Sequence, residues 1–494
     1  MIVLPILIPL VFAIISVFFW ENQLAKRIIS ILSSAILVAI DIIIFINVYN
    51  NGIQVVQIGN WPAPFGISLV VDLFSAIMLL TTATVAFILS IYSIKGIDLA
   101  RRKYGYFPLF QFLLMGVNGS LITGDLFNLY VWFEVMLMSS FVLIALGGER
   151  SQIEGAVKYV ILNLLSSTLF LSAIGLTYNL AGTLNMADLS LRFQALQSSG
   201  QVTVIAILFL VAFGIKSAIF PLFFWLPASY HTPPITVTAL FSALLTKVGM
   251  YALIRFFTLL FRFDNEFLLS IILISAGFTM LTGVLGAASQ TDLRRLLSFH
   301  IISQIGYIFM GLGLFTEYAI AASIYFLVHI ILAKTALFLS AGMIESIQGS
   351  YDLKKLGGLY QHRVAFSMLF LLPALSVAGL PPFSGFFAKL GLIIAGLENG
   401  QYFIIAVALA VSLMTLFSMT KVWNEAFWKP PKDPSYADQQ RPVSPWYWVP
   451  SLMIVTLSVL LGLLANPVFE ISQMAAAQLM DPSGYIEVVL GVIR

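Results

Sequence analysis

Residues 211–224 read VAFGIKSAIFPLFF, an apolar run broken by one lysine, Lys216, and one proline, Pro221. Proline lacks an N–H and its ring clashes with the carbonyl one turn back, so a helix here is expected to break beside the lysine. Working outward, three more apolar segments carry a lysine near the middle. They are FSALLTKVGMYALI (241–254) with Lys247, LVHIILAKTALFL (327–339) with Lys334, and PPFSGFFAKLGLII (381–394) with Lys389. One carboxylate, Glu134, sits at similar depth in NLYVWFEVMLMSSF (128–141). A charge at the centre of a membrane helix costs about 2.5–3.5 kcal/mol on insertion scales. Five such residues are too expensive to be packing accidents. They imply that something charged, most simply a proton, moves along a buried row.

The composition fixes the class. The chain has 494 residues, 60% hydrophobic and 10% charged, with a mean hydropathy of +0.99. Soluble domains carry about a quarter charged residues, so this is an all-α polytopic membrane protein. Spans of about 20 apolar residues fall near 2–20, 28–48, 70–93, 106–123, 126–146, 157–179, 202–226, 236–260, 267–288, 300–315, 319–344, 364–396, 402–427 and 447–465. Residues 1–20 lack a basic n-region and a small-residue cleavage site, and are read as a retained first helix, not a signal peptide. With no cysteine, thiolate-held iron–sulfur clusters, structural zinc and disulfides are excluded, and no cofactor or metal site is expected. The net charge of +3 says little about nucleic acid, because the basic residues are scattered over short loops without a basic domain, and no nucleic-acid partner is expected.

Basic residues alternate from one side to the other. Lys26 and Arg27 follow the first span; Lys95, Arg101, Arg102 and Lys103 the third; Arg150 the fifth. Arg294 and Arg295 follow the ninth, Lys354, Lys355 and Arg363 the eleventh, and Lys429, Lys432 and Arg441 the thirteenth. The other side holds Arg192, Arg262 and Arg494. Basic loops mark the cytoplasm, so both termini are expected outside. The outer loop 50–68 (with GNWPAPFG) suits a β-hairpin, 429–445 reads as a cytoplasmic linker, and 466–480 reads as an amphipathic interfacial helix.

An internal echo organises the rest. The seventh span carries Lys216 before Pro221 and Pro227; the twelfth carries Pro373, Gly379, Pro381, Pro382 and Gly385 before Lys389. Interrupted helices at matching places in two halves point to a repeat-built transporter. Helices four to eight and nine to thirteen would form two five-helix repeats, inverted because five is odd. The expected division is an N-terminal three-helix unit (1–105), a first repeat (106–265), a second, inverted repeat (266–428) and a C-terminal unit (429–494).

Each member of the row has a reading as chemistry and one as structure. A lysine whose proton affinity depends on a nearby carboxylate makes a proton switch; Glu134 and Lys216 fit that, against a fixed ion pair that would need no broken helix. Lys247 has no carboxylate of its own and can accept a proton from Lys216 as a neutral amine, or it faces backbone carbonyls. His329 and Lys334 lie five residues apart, about 140° around a regular helix, and a π-bulge would bring them together. His329 suits a relay near neutral pH, or a helix-to-helix hydrogen bond. Lys389, just past the second break, is read as a proton exit site, against a structural lysine. Lys158 either snorkels or takes up protons. His231 is read as a surface residue, His300 as a gate at the start of helix ten, His362 as solvated, and Asp72 as a cap or structural pair. Asp41 and Arg255 have no evident partner.

The strings GIKSAIFPLFFWLPASYHTPP, LLTKVGMYALIRF, TDLRRLLSFHIISQIGYI and GLPPFSGFFAKLGL resemble the antiporter-like subunits of respiratory complex I and of Mrp-type multisubunit cation/proton antiporters. The similarity covers most of the chain. Its length, the absence of a long lateral C-terminal helix and Lys389 resemble the Mrp D-type branch most. The resemblance implies fourteen helices, broken helices seven and twelve, and a hydrophilic axis. It implies a pair between Glu134 and Lys216, further sites at Lys247 and Lys389, and a helix-eleven relay at Lys334 with His329. It also implies a bacterial cell membrane, a hetero-oligomer with other Mrp-type membrane subunits, exchange of sodium for protons, and no redox cofactor.

Three readings stand at this point: a proton-translocating subunit of a sodium/proton antiporter, a pumping subunit of complex I or a membrane-bound hydrogenase, and a scaffold with static lysines. The row is mostly basic and repels cations, so sodium is expected to pass through a partner or an interface.

Overall fold

The computed structural model describes residues 1–196, 200–262, 266–430 and 442–491. Lys432, Arg441, Arg494 and most of the expected 429–445 linker lie outside the described residues. The chain opens with α1 (Leu4–Phe18) and α2 (Gln23–Asn51), then a hairpin of β1 (Gln54–Gln57) and β2 (Ser68–Val71), antiparallel with Gln54 opposite Val71. Next come α3 (Leu73–Gly96), α4 (Leu99–Lys103), α5 (Tyr106–Ile122), α6 (Leu126–Ala145), α7 (Arg150–Ala181) and α8 (Met186–Ala195). The middle holds α9 (Gly200–Ser217), α10 (Trp225–Ser229), α11 (Ile235–Leu259), α12 (Glu266–Ser289), α13 (Leu293–Leu314) and α14 (Glu317–Gln348). The remainder is α15 (Leu359–His362), α16 (Val364–Ala378), α17 (Ser384–Glu398), α18 (Tyr402–Trp423), α19 (Pro445–Leu463), α20 (Ala465–Met480) and α21 (Ser483–Leu490).

Among the described residues, eleven helices are long and apolar enough to cross a membrane. Adding α1, α5 and the interrupted α16–α17 pair, and counting α9 with α10 as one, gives fourteen crossings. Several helices outrun their apolar cores. Helix six begins at Arg150, not 157, and helix ten at Leu293, not 300. Hydropathy does not set the second of these starts; capping does, since the Asp292 side chain accepts the Arg295 N–H. Arg294 and Arg295 therefore lie in the first turn of α13 and not in a loop.

The two halves repeat with a fixed spacing. Asp125 bridges to Asn185 just as Asp292 bridges to Asp352, each residue 167 positions from its counterpart. The Leu126 N–H donates to Leu184 O at 2.9 Å, and the Leu293 N–H to Tyr351 O at 2.9 Å. Helices α7 and α14 both have 32 residues and both end on a left-handed glycine, Gly182 and Gly349. The breaks match as well. Ala218 (φ 59) and Gly379 (φ 88) end α9 and α16 in the left-handed conformation. Ala218 N–H donates to Ile215 O and Ile219 N–H to Gly214 O; Gly379 N–H donates to Ser376 O and Leu380 N–H to Leu375 O. The chain thus holds two inverted five-helix repeats with helices seven and twelve broken.

Membrane-depth backbone must be satisfied inside the protein. At the first break Trp225 Nε1–H donates to Ile215 O at 2.8 Å, and Thr279 Oγ1 receives the Phe220 N–H at 2.9 Å. Glycine lets the second break close: a Cβ on Gly385 would sit 1.8 Å from Ser376 O. Helices α11, α13 and α14 are buried on nearly every side, whereas α2, α7, α12 and α18 present exposed Leu, Ile and Phe outward. The amphipathic α20 packs its small buried face, Ser472, Ala475, Ala476 and Leu479, onto α14 and α3.

Candidate functional site

Glu134, on α6, and Lys216, at the end of α9, face each other across α7. Among the described residues no direct ion pair joins them. This corrects the expected pairing: a serine stands between them. Lys216 Nζ donates to Ser167 Oγ at 3.4 Å, and Ser167 Oγ–H donates to Glu134 Oε1. Lys216 is buried with its amine 5.1 Å from the Phe133 ring centroid. Glu134 is half-buried and borders a lateral groove of about 470 Å³ between α5 and α6.

Lys247 is fully buried at the centre of α11, and its amine turns back to donate to Ser242 O on its own helix. Gly249, half a turn on, lets α11 approach the first break; a Cβ there would meet Ser217 Oγ at 2.4 Å. Lys334, on α14, donates to Leu297 O of α13 at 3.3 Å. It lies within electrostatic range of both Lys247 and Lys389. His329 shares α14 but not its face: its Nδ1 meets Ser384 Oγ of α17 at 2.9 Å. Helix α14 is regular throughout, so no π-bulge brings the two together. The π turn found among the described residues, Asn424–Trp428, closes α18 instead.

Lys389, on α17, reaches back across the second break. Its amine donates to Val377 O at 3.0 Å, Ala378 O at 3.0 Å and Ser412 Oγ at 3.1 Å. Those carbonyls end α16, so the ammonium sits at the negative end of a half-helix in mid-membrane. Tyr307 of α13 lies under it, 5.1 Å from the amine to the ring centroid.

Between Lys334 and Lys389 runs a polar stripe on α13, of which the sequence pattern singles out His300 alone. His300, Gln304 and Tyr307 recur at helical spacing on one face. His300 is not at the helix start; it is fully buried two turns in, with Nε2 2.7 Å from Ser418 Oγ. Both polar atoms of Gln304, His300 Nδ1 and His329 Nε2 are buried without a protein partner, which is where ordered water is needed. Ser167, Ser384 and Ser412 also escape sequence reasoning. Serines are frequent in spanning helices, and sequence does not tell which of them turn their hydroxyl away from their own helix.

The remaining residues fall as follows. Arg255 has a partner after all: it forms a buried pair with Asp72, donating from NH1 at 2.5 Å and NH2 at 2.8 Å. Asp72 also caps α3 through the Ser75 N–H, so it does both things expected of it. Asp41 is buried with neither carboxylate oxygen partnered. Lys158 is exposed and pairs with Glu154 at 2.5 Å. His362 is exposed. His231 is half-buried, not on the open surface, and its Nδ1 lies 2.8 Å from Pro227 O. It lines a polar cleft of about 510 Å³ with Arg294, Glu345, Lys95 and Arg101, at the end of the bundle opposite the hairpin. Burial, then the charges of Arg295 and Arg294, push the His231 imidazole below its ordinary range.

The transmembrane family described as NADH:quinone oxidoreductase/Mrp antiporter matches residues 123–415. The chain is 46% identical to the D-type subunit of a Na(+)/H(+) antiporter of Alkalihalophilus pseudofirmus over 491 residues, 99% of each chain. It is 39% identical to the corresponding D-type Na(+)/H(+) antiporter protein of Bacillus subtilis (strain 168), again over 99% of each. Among solved structures, a chain of the Mrp complex from Dietzia sp. DQ12-45-1b superposes with a TM-score of 0.93 at 32% identity, over 99% of both chains. A chain of the membrane-bound sulfane sulfur reductase, an archaeal respiratory membrane complex, superposes with a TM-score of 0.90 at 25% identity over 99% of both.

Proposed function

Because this chain belongs to the NADH:quinone oxidoreductase/Mrp antiporter family, we propose that its buried row carries protons for a multisubunit sodium/proton antiporter. The chain is the D-type, proton-translocating subunit of such an antiporter and works as part of a hetero-oligomer with other Mrp-type membrane subunits. The single observation that carries the proton path is the lysine row itself. Lys216 and Lys389 lie beside the breaks of the two interrupted helices, and Lys247 and Lys334 lie on α11 and α14, which are buried on nearly every side. Each amine contacts a neutral oxygen of the protein: a serine hydroxyl or a backbone carbonyl. Fixed ion pairs would hold these lysines charged, whereas neutral oxygen acceptors serve the ammonium and leave the amine free to pass its proton on.

In this reading Glu134, Lys216, Lys247, Lys334 and Lys389 exchange the proton, and His329 supports the stretch between Lys334 and Lys389. The polar cleft at His231 is the cytoplasmic mouth, the termini face outward, and the four-part division at 105, 265 and 428 follows the repeats. Sodium passes through a partner or an interface. The respiratory relative shares the fold at 25% identity against 46% for the antiporter relative, which favours antiport over a redox-driven pump. Membrane vesicles from cells expressing the complete complex provide the test. Lys216→Ala and Glu134→Ala are each expected to abolish the sodium-dependent pH change while the complex still assembles. Full activity in the assembled complex would overturn the reading.

A further inference from the structure

We propose that Ser167 is a proton-relaying residue whose hydroxyl carries the proton between Lys216 and Glu134; this rests on the reading of Lys216 as a proton carrier. Proton transfer requires hydrogen-bond reach, and the two charged groups have no direct contact. The Ser167 hydroxyl touches both, receiving an N–H from Lys216 and donating its O–H to Glu134. Ser167 and Lys216 are both buried, so bulk water is kept from the bond between them, while the Glu134 end is half-buried beside the groove.

A hydroxyl both donates and accepts, which makes the step balanced without any co-reactant. One N–H bond of the Lys216 ammonium breaks as its proton joins Ser167 Oγ. The O–H bond of Ser167 breaks as its own proton joins Glu134 Oε1. Ammonium and carboxylate become amine and carboxylic acid, and the serine ends neutral with its O–H replaced. Glu134 then holds the proton beside the lateral groove lined by Phe112, Met115 and Tyr130. The reverse sequence runs the same bonds backward.

Two observations separate this from an ordinary helix serine. Neighbouring hydroxyls spend their proton on backbone carbonyls: Ser139 on Val135 O, Ser140 on Leu137 O, Thr168 on Leu164 O and Ser172 on Thr168 O of their own helices, and Ser166 on Ala212 O of α9. Ser167 does not; it spends its proton on a carboxylate of another helix. The second observation is independent. Ser167 and Lys334 are separated by the same 167 positions that relate α7 to α14, so they hold the same place on two 32-residue helices. Each repeat therefore puts a side chain able to pass a proton at one point of its long helix. In the second repeat it is an ammonium and in the first a hydroxyl.

The test uses the assembled complex in membrane vesicles, with Ser167→Ala, Ser167→Thr, Ser167→Cys and Lys216→Ala side by side. Ser167→Ala is expected to cut sodium-dependent proton flux by about tenfold or more, as loss of an acid–base partner does. Ser167→Thr, which keeps the hydroxyl, should stay within about twofold of the parent, because its donor and acceptor capacity is unchanged. Should the alanine variant fail to assemble, the near-isosteric Ser167→Cys, a weak donor, is expected to lose flux comparably. Infrared difference spectra give a second readout: the Glu134 carboxyl band, assigned with Glu134→Gln, should shift in Ser167→Ala and return in Ser167→Thr. If Lys216→Ala is inactive but Ser167→Ala matches the parent, the relay is overturned and the lysine row stands. If Lys216→Ala keeps full flux, the lysine reading falls and the relay with it.

Discussion

At the residue scale, the ammonium of Lys389 has three N–H bonds and three oxygens to receive them, at Val377, Ala378 and Ser412. A neutral amine has two, so each deprotonation leaves one oxygen to be satisfied by a rotation of Ser412 or by water. Lys389→Ala is accordingly expected to lower sodium-dependent proton flux by about tenfold or more in vesicles. The Arg255–Asp72 pair makes the opposite case, a buried charge with a fixed partner and no place in the row. Removing either member alone should cost about 3–5 kcal/mol, read as loss of intact complex after heating in detergent. Asp72→Leu with Arg255→Met should recover much of that loss. His231 supplies a pH dependence. Its imidazole titrates lower in the fold than in the unfolded chain, where ~6.5 is ordinary. The unfolded state therefore binds more protons as pH falls below that value, and stability drops until the folded group protonates too. The facing groups are Arg294, Arg295, Asp292 and Glu154. His231→Gln should flatten the thermal-stability profile of the purified complex between pH 7 and about 5.

Among the elements, the two broken helices are the most legible part of the sequence, because proline and glycine act locally and leave the same mark in any context. Pro221, Gly379 and Pro382 are enough to place both breaks. The helix lengths are not legible: hydropathy stops where charge begins, whereas α7 and α13 continue through Arg150, Arg294 and Arg295 on their backbone hydrogen bonds. The lysine positions can be read, but their partners cannot: those of Lys216, Lys334 and Lys389 are carbonyls or hydroxyls brought in by packing, and Lys247 turns to a carbonyl of its own helix. Ser167 and Arg255 show this in the same way, one a relay and one half of an ion pair that only three-dimensional contact reveals. Close approach of elements gives a further prediction. Gly385→Ala forces a Cβ to within 1.8 Å of Ser376 O and close to His329, so the variant should fail to accumulate as assembled complex. Gly175→Ala meets nothing within 4 Å and should accumulate normally, with up to about 1 kcal/mol gained from helix propensity.

For the molecule as a whole, the alternating basic loops predict which end faces the cytoplasm, and the chain supplies its own background for the test because it has no cysteine. Glu470→Cys, on α20 at the hairpin end, should react with an impermeant maleimide in intact cells. Lys355→Cys, beyond α14 at the other end, should react only in inverted vesicles. The C-terminal helices also tie down the hairpin end. Arg262 donates to Met480 O, Gln57 to Val489 O, and Gln478 caps the start of α3 through the Leu73 N–H. Helix α14 reaches further still: it packs on α11 of the first repeat, on α13, α16 and α17 of the second, and on α3, α19 and α20. A helix wedged against so many neighbours is a keel. Transporters that rock one repeat against the other open a cavity on alternate sides, and here that motion would peel apart nearly every face of α14. The scaffold is therefore expected to stay still while charge moves through it by side-chain rotation alone. Hydrogen exchange along α14 should be the same in vesicles with and without an imposed proton gradient.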